Sequence, residues 1–214
     1  MKTTQMACWA RMAVFSAAAL AGSAALAAPV MPSFDNAPVG WSVDRYAAAS
    51  FGDVGVYQGR NDVLRIGIDS STDSANRAPG FGSMFYNTQG MKYLISGGAG
   101  SVLSADLYVE SAWRSNNQGS AYVRTDMWGV MVNNVPSVTA YPILGFTNYG
   151  GAARLRAYDG GAWVDLATAI TYDAWTSLAI EFTGTSFDFF VNGALAYSDT
   201  TIDGTTGFSA AIMQ

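Results

Sequence analysis

The residues best suited to chemistry are Arg, Asp, Trp and Tyr side chains that recur at every second position in three short segments. These sets are Arg124, Asp126 and Trp128; Arg154, Arg156 and Tyr158; and Trp163 and Asp165. Alternation along an extended strand places such residues on one face. Aromatic faces and planar hydrogen-bonding groups together hold sugars well. We therefore expect one carbohydrate-binding surface if the three segments lie in the same sheet.

The predicted carbohydrate-binding residues combine this surface with the turn that precedes the second segment. They are Arg124, Trp128, Asn148, Tyr149, Arg154, Arg156, Tyr158 and Trp163. The alternative for Trp128 and Trp163 is a place in the core, because large aromatic side chains are usually well buried. The expected partner is a glycan or exopolysaccharide.

Several kinds of catalysis lack the residues that they need. The sequence contains no His, which excludes Ser-His-Asp and Cys-His catalysis and disfavours a transition-metal site. Glycoside hydrolysis requires two carboxyl groups at a defined separation. The only glutamates are Glu110 and Glu181, and neither has an acidic residue two or five positions later. We predict a non-catalytic protein with no required cofactor.

Two alternatives to carbohydrate binding stay open. A polysaccharide lyase would use an Arg to neutralise a uronate and a Tyr as the acid. Arg154, Arg156 and Tyr158 share a strand face, with Asn148 and Tyr149 in the preceding turn, although the Arg, Gln-His and Tyr motifs of such lyases are not matched. The other alternative is a purely structural surface protein without a ligand.

The pattern of the chain predicts an all-β fold. Strand-like alternation recurs roughly every ten residues from Val102 onward, as in a sandwich. Gly and Asp turns separate the segments, and no internal repeat is present. Residues 40–51 show little alternation, so we predict an ordered loop there, with Trp41 and Tyr46 as buried plugs. The expected architecture is a two-sheet antiparallel β-sandwich.

The clearest segment runs from Trp175 to Ser198 and predicts three successive strands. Thr176, Leu178, Ile180 and Phe182 alternate with Ser177, Ala179 and Glu181, and Phe187, Phe189 and Val191 alternate with Asp188, Phe190 and Asn192. Asn192-Gly193 favours a two-residue hairpin turn. A Trp, an alternating strand, a Gly-containing turn and an aromatic-Val-Asn-Gly ending resemble the closing half of a LamG-like jelly roll in the concanavalin A-like lectin/glucanase superfamily.

The resemblance has further implications for location and metal binding. The opening Phe34-Asp35-Asn36 and Trp41-x-x-Asp44-Arg45-Tyr46 resemble secreted bacterial proteins that carry a PEP-CTERM sorting signal, and that signal is absent here. LamG-like domains often bind calcium through loop oxygen atoms. The corresponding candidates here are Asp44, Asp53, Asp62, Asp69 and Asp73.

The N-terminal residues have the pattern of a secretory signal peptide. Lys2 and Arg11 precede an apolar, Ala-rich run, and Ala25-Leu26-Ala27 forms a small-x-small cleavage site. We therefore divide the chain into a signal peptide (1–27), a linker (28–33) and a jelly-roll domain (34–214). We expect a secreted, extracellular or cell-surface protein with no membrane insertion after cleavage.

The charge of the chain disfavours nucleic acid and anionic membrane surfaces as partners. The chain has 11 Lys and Arg against 16 Asp and Glu, for a net charge of −5. Loss of Lys2 and Arg11 with the leader leaves nine basic residues and a net charge of −7. Nucleic acid is therefore not an expected partner.

The pattern also bears on the end of the jelly roll. Phe208, Ala210 and Ile212 alternate as in a strand, and the sequence stops at Gln214 without a turn. The terminal strand of such a jelly roll normally pairs beside the first. We interpret the sequence as a fragment, or as a fold that lacks a strand and a surface-sorting tail.

Overall fold

The computed structural model describes residues 37–68, 77–82, 87–115, 122–158 and 160–214. These residues all belong to one unit that spans Met31–Gln214. The predicted signal peptide (1–27), the linker (28–33) and two calcium candidates, Asp69 and Asp73, lie outside the described residues.

Strands dominate the described part of the chain, with one short 3₁₀ helix at Ser111–Arg114. In chain order the strands are β1 (Trp41–Val43), β2 (Ser50–Asp53), β3 (Leu64–Gly67), β4 (Met91–Gly97), β5 (Ser101–Val109), β6 (Arg124–Val132), β7 (Val138–Ala140), β8 (Ile143–Thr147), β9 (Arg154–Tyr158), β10 (Trp163–Asp165), β11 (Ala174–Phe182), β12 (Phe187–Val191), β13 (Ala194–Asp199) and β14 (Gly207–Met213).

Two antiparallel sheets form the body of the fold. The larger sheet has the order β1-β4-β14-β6-β8-β9-β10, with β7 also paired to β6. The smaller sheet has the order β13-β12-β11-β5, and β2 and β3 form a separate two-stranded hairpin. The predicted all-β, two-sheet antiparallel sandwich of the jelly-roll type is therefore confirmed.

Alternating apolar residues build the core between the two sheets. From the smaller sheet, the predicted inward residues Leu178, Ile180 and Phe182 are each at most 3% exposed. They meet side chains of the larger sheet such as Met127 and Phe146 in one apolar cluster. Burial of one face per strand explains why period-2 alternation located these strands correctly.

The hairpin turn between β12 and β13 has the predicted geometry. Asn192 has a φ of 50° and Gly193 a φ of 77°. Two consecutive positive φ angles suit a two-residue turn whose twist matches that of the strands, and Asn and Gly tolerate them best. The Asn192 side chain also accepts a hydrogen bond from the Ser177 amide at 2.9 Å, which ties the turn to β11.

The prediction of a loop over residues 40–51 was wrong at both ends. β1 pairs with β4 at the edge of the larger sheet, and β2 pairs with β3. Both strands have only three or four residues, too few to show alternation. The expected burial of the aromatic residues holds for Tyr46, which is 4% exposed, and Trp41 packs on Phe51 and Tyr93.

The final strand, β14, lies inside the larger sheet rather than at its edge. It pairs with β4 on one side and with β6 on the other. Beyond it, the backbone of Gln214 exchanges two hydrogen bonds with Asp126, at 2.8 and 3.2 Å. Phe208, Ala210 and Ile212 are each at most 4% exposed. The last strand of the sequence is thus a central strand that also positions Asp126 on β6.

Candidate functional site

The candidate site lies on the face of the larger sheet that points away from the core, which we call the outer face. Cross-strand pairing places its residues in three rows. One row contains Arg124, Thr147 and Arg154, the second Asp126, Gly145, Arg156 and Asp165, and the third Trp128, Ile143, Tyr158 and Trp163. The three predicted segments thus share one sheet, with β8 inserted between β6 and β9.

Gly145 makes the middle row possible. Asp126 and Arg156 lie on strands that are not adjacent, and Gly145 on β8 stands between them. Without a side chain there, Arg156 Nη2 reaches Asp126 Oδ2 at 3.4 Å. A Cβ at Gly145 would lie 2.7 Å from the Asp126 Cα and would overlap Asp126 Oδ1. This glycine leaves the space in which the ion pair forms.

The Asp126 carboxyl group is the buried acidic group of the outer face. Its Oδ2 lies 3.2 Å from Arg124 Nε and 3.4 Å from Arg156 Nη2. Burial raises the pKa of Asp126, and the two guanidinium groups act in the opposite direction. Burial likewise lowers the pKa of Arg156, and Asp126 opposes that change. Asp126 Oδ1 and Arg156 Nε have no hydrogen-bond partner among the described residues.

The third row supplies aromatic surface, part of which is buried. The Arg156 guanidinium carbon lies 3.5 Å from the centroid of the Trp163 ring, which suits a cation–π contact. Tyr158 packs on the same ring with centroids 5.1 Å apart. Trp128 is only 2% exposed and contacts Arg45, whose guanidinium carbon is 5.1 Å from its ring. Trp163 is half-buried, whereas Trp128 is covered.

The first row ends beside two exposed tyrosines. Arg154 donates from Nε to Asp165 Oδ1 at 2.7 Å and from Nη1 to the Tyr149 carbonyl at 3.2 Å. The rings of Tyr149 and Tyr122 meet edge to face with centroids 4.5 Å apart. These two side chains are 56% and 52% exposed. The pair therefore offers aromatic surface to solvent next to a fixed guanidinium group.

Sequence reasoning missed Tyr122. It stands at the end of a loop, just before β6, and no alternation marks it. Only the folded structure identifies Tyr122, because hydrogen bonds between Val123 and Asn148 hold the start of β6 beside the turn after β8. The Val123 backbone amide donates to Asn148 Oδ1 at 2.8 Å, and the backbone amide of Asn148 donates to the Val123 carbonyl at 3.1 Å.

The predicted site residues divide into three groups. Arg124, Arg154, Arg156, Tyr158 and Trp163 share the outer face, with Tyr149 at its end. Trp128 is on this face but buried, as the core alternative proposed. Asn148 is 1% exposed, and its Nδ2 donates to the Trp113 carbonyl at 3.1 Å. Asn148 thus holds the turn that carries Tyr149, and ligand contact by the other residues stays a prediction.

The described carboxylates of the outer face are poorly placed for glycoside hydrolysis. Asp126 and Asp165 lie in one row but three strand spacings apart, which is roughly 14 Å. Both hydrolytic geometries need carboxyl groups closer than about 10 Å. Glu181 lies on β11 of the other sheet, and Glu110 directly follows β5 of that sheet. Glu110 accepts a hydrogen bond from the Tyr57 hydroxyl at 2.8 Å, so its carboxylate is engaged within the protein.

The calcium candidates do not converge within the described residues. Asp44 pairs with Arg45, and Asp53 accepts a hydrogen bond from the Gly55 amide at 2.9 Å. In the part of the chain that the structure describes, no three His, Cys, Asp or Glu side chains form a metal-binding group. Asp69 and Asp73 lie outside that part. In the same part, no helix has the length and apolar character needed to cross a membrane.

Comparisons with known proteins found distant structural likenesses. No protein-family model and no curated protein sequence matches the chain. A Bacillus licheniformis β-glucanase matches with a TM-score of 0.43 and 12% identity, over 85% of this chain and 81% of that one. The carbohydrate-binding module CBM66 from Bacillus subtilis gives 0.37 and 13%, over 82% and 92%. Galectin LEC-6 from Caenorhabditis elegans gives 0.31 and 17%, over 62% and 99%. The fold assignment rests on the strand pairing described above.

Proposed function

We propose that this chain is a secreted, non-catalytic carbohydrate-binding protein of the LamG-like type that attaches to a glycan or exopolysaccharide outside a bacterial cell. The observation that carries the proposal is the exposed Tyr122–Tyr149 pair beside the Arg154–Asp165 ion pair. Tyrosine combines an apolar ring with a polar hydroxyl group, so it can contact both the C–H surface and the hydroxyl groups of a sugar.

The rigidity of this surface supports the proposal. Arg154 is held by Asp165 and by the carbonyl groups of Tyr149 and Ala152. Thr147 Oγ1 accepts a hydrogen bond from the Tyr149 amide at 3.0 Å, which fixes the start of the turn. Side chains that are already ordered lose less conformational entropy when a ligand binds. The site therefore suits a shallow, preformed contact with a chain of sugars.

The arrangement of acidic groups supports binding over hydrolysis. Asp126 is buried beneath Arg124 and Arg156, and Asp165 is held by Arg154. The roughly 14 Å between their backbone positions leaves no pair suited to a two-carboxylate mechanism. A lyase remains the enzymatic alternative, because Arg156 and Tyr158 share the face, and the experiment below includes it.

A binding experiment on the exported protein tests the proposal. The protein is titrated calorimetrically with neutral and acidic polysaccharides, with and without calcium. We expect saturable binding to at least one of them. Tyr149→Ala should weaken that binding at least about tenfold, or about 1.4 kcal/mol, with an unchanged thermal unfolding midpoint.

The control is Leu195→Ala, since Leu195 is 57% exposed on the smaller sheet. This variant should bind like the wild type. Absence of saturable binding to every polysaccharide would favour the structural alternative. Release of unsaturated oligosaccharides from a polyuronate would show that the protein is a lyase.

A further inference from the structure

The two outer faces of the sandwich carry opposite charge. The described basic side chains on the outer face of the larger sheet are Lys92, Arg45, Arg124, Arg154 and Arg156, and the acidic ones are Asp44, Asp126 and Asp165. Strand pairing and ring contacts place them there. This face therefore has an excess of two positive charges, although the whole chain has a net charge of −5.

The outer face of the smaller sheet has the reverse balance. Its acidic residues are Asp106, Glu110, Glu181 and Asp188, all at outward positions of β5, β11 and β12 or just beyond β5. Arg60, between β2 and β3, reaches over Trp175 on this face and pairs with Asp106. A protein with faces of opposite charge attracts an anionic ligand to one side and repels it from the other.

Arg154 of the larger sheet keeps a hydrogen-bond donor group that the described protein groups do not use. Arg154 uses Nε and Nη1 for Asp165 and two carbonyl groups. Its Nη2 group has no partner among the described residues. Arg156 uses Nη2 for Asp126, and its Nε is buried, so Arg156 adds positive charge beneath the surface and no free donor. Guanidinium groups present paired N–H donors that match carboxylate and sulfate oxygens.

The free donor group of Arg154 lies at the candidate carbohydrate site. Arg154 donates to the carbonyl of Tyr149, so its guanidinium lies next to the exposed tyrosine pair. Arg156 lies against the Trp163 ring in the neighbouring row. Exposed aromatic surface therefore lies directly beside an unused cationic donor group, in a region of positive charge. An acidic polysaccharide has the matching combination of C–H surface and anionic groups.

We infer that the glycan bound by the outer face is an anionic polysaccharide, whose carboxylate or sulfate groups pair with Arg154 and are attracted by the positive charge of the neighbouring arginines. This inference rests on the proposed carbohydrate-binding function and narrows it to a chemical class. Nucleic acid is the other polyanion to consider. Its charge density is far higher, about one charge per 1.7 Å of duplex, and the excess of two charges here suits a sparser polymer.

Matched ligands test the inference on the exported protein. Polygalacturonate is compared with its fully methyl-esterified form, and dextran sulfate with dextran, so each pair differs only in charge. We expect at least tenfold tighter binding to the charged member of one or both pairs. The pair that responds identifies carboxylate or sulfate as the recognised group. Raising the salt concentration should weaken this binding, because the contact is exposed and therefore screened.

Substitutions of single arginines test which face binds the charged polymer. Arg154→Gln should lose at least fivefold in affinity for the charged polymer, and Arg154→Lys should recover only part of it, because the fork of donors is missing. Arg60→Gln on the opposite face is the matched control and should bind within twofold of the wild type.

Three outcomes would overturn the inference. Equal binding of charged and neutral forms would contradict it while leaving carbohydrate binding intact. Binding to single-stranded DNA as tight as to the best polysaccharide would show unselective attraction of polyanions. No binding to any of the four polymers or to the wider polysaccharide panel would remove both the inference and the proposed function.

Discussion

Arg156 and Asp126 meet across an intervening strand, with Nη2 of Arg156 3.4 Å from Oδ2 of Asp126. The contact crosses β8 at Gly145, the one position in this row without a side chain. It fixes the middle of the outer face, because Arg156 also lies against Trp163. The ion pair thereby connects the buried centre of the sheet to the half-buried aromatic surface at its edge.

Gly145→Ala should destabilise the protein. The new Cβ would overlap Asp126 Oδ1 and the Thr125 carbonyl, and backbone atoms cannot move aside cheaply. Overpacking of this kind costs about 1–3 kcal/mol, measured as a lower midpoint in urea unfolding. The control is Gly82→Ala, which has open space around its Cβ and should stay within about 0.5 kcal/mol of the wild type. Equal effects of the two substitutions would contradict this role of Gly145.

Asp126→Ala should be costly because it leaves a buried guanidinium group without its acidic partner. Asp126 is 3% exposed and Arg156 6% exposed. Breaking a buried pair from one side costs about 3–5 kcal/mol. The double variant Asp126→Ala/Arg156→Met should regain part of that loss, since no buried charge is left unpaired. Strictly additive effects in urea unfolding of the two single variants and the double variant would argue against the coupling.

The unfolding free energy at acidic pH should show how much Asp173 contributes to stability. The Ser111 amide donates to its carboxylate at 2.8 Å, and hydrogen bonds from Ser111 lower the pKa of Asp173. A carboxyl group with a lowered folded pKa adds stability above its ordinary pKa of about 4. That stability is lost as the pH falls through the lowered value. Asp173→Asn should therefore flatten the fall in unfolding free energy below about pH 4.

Asn is a suitable replacement at this position because Asp173 has a φ of 54°, a backbone region that Asn also tolerates. The measurement is chemical unfolding at a series of pH values for both proteins. Curves that stay parallel through the acid range would show that the Ser111 contact makes no pH-dependent contribution.

Tyr57→Phe should loosen the β2–β3 hairpin. The tip of this hairpin packs on the smaller sheet, where the Tyr57 hydroxyl donates to Glu110 and the Trp175 indole donates to the Gln58 carbonyl. Loss of one hydrogen bond, at about 1 kcal/mol, should speed amide hydrogen exchange in β2 and β3 about fivefold. Tyr141→Phe in the larger sheet should leave these amides unchanged, and equal exchange in both variants would contradict the contact's role.

Export should remove the N-terminal residues. The pattern Ala25-Leu26-Ala27 predicts that the secreted protein begins at residue 28. Intact mass and N-terminal sequencing of protein from the culture medium measure this directly. Protein that keeps residues 1–27, or that stays with the membrane fraction, would contradict the predicted signal peptide.

Local pattern sufficed for strands that bury one face. Alternation located β9 and β12 and placed Arg154, Arg156 and Tyr158 together, because period 2 follows from strand geometry alone. It also anticipated the positive φ angles of Asn192 and Gly193. These features depend on residues that are close in sequence.

Features that depend on distant pairing could not be found in this way. The β2–β3 hairpin lies on the smaller sheet because of contacts between Tyr57 and Glu110, 53 positions apart. In the sequence, Asn148 resembles an exposed turn residue. In the structure its side chain is buried, where it accepts a hydrogen bond from the Val123 amide and donates one to the Trp113 carbonyl. Tyr122 becomes part of the candidate site only through this contact. The spacing of residues in the sequence does not indicate such contacts between distant residues.

The central position of β14 has a consequence for the order of events in folding. Among the described strand pairs, β14 is the link between the β1–β4 edge and the strands β6 to β10. Thr88 and Gln214, whose side chains are hydrogen-bonded, are 126 positions apart. Such non-local pairing slows folding, and β14 is the last of the described strands in chain order. The larger sheet can therefore be completed only after all the other described strands have been synthesised.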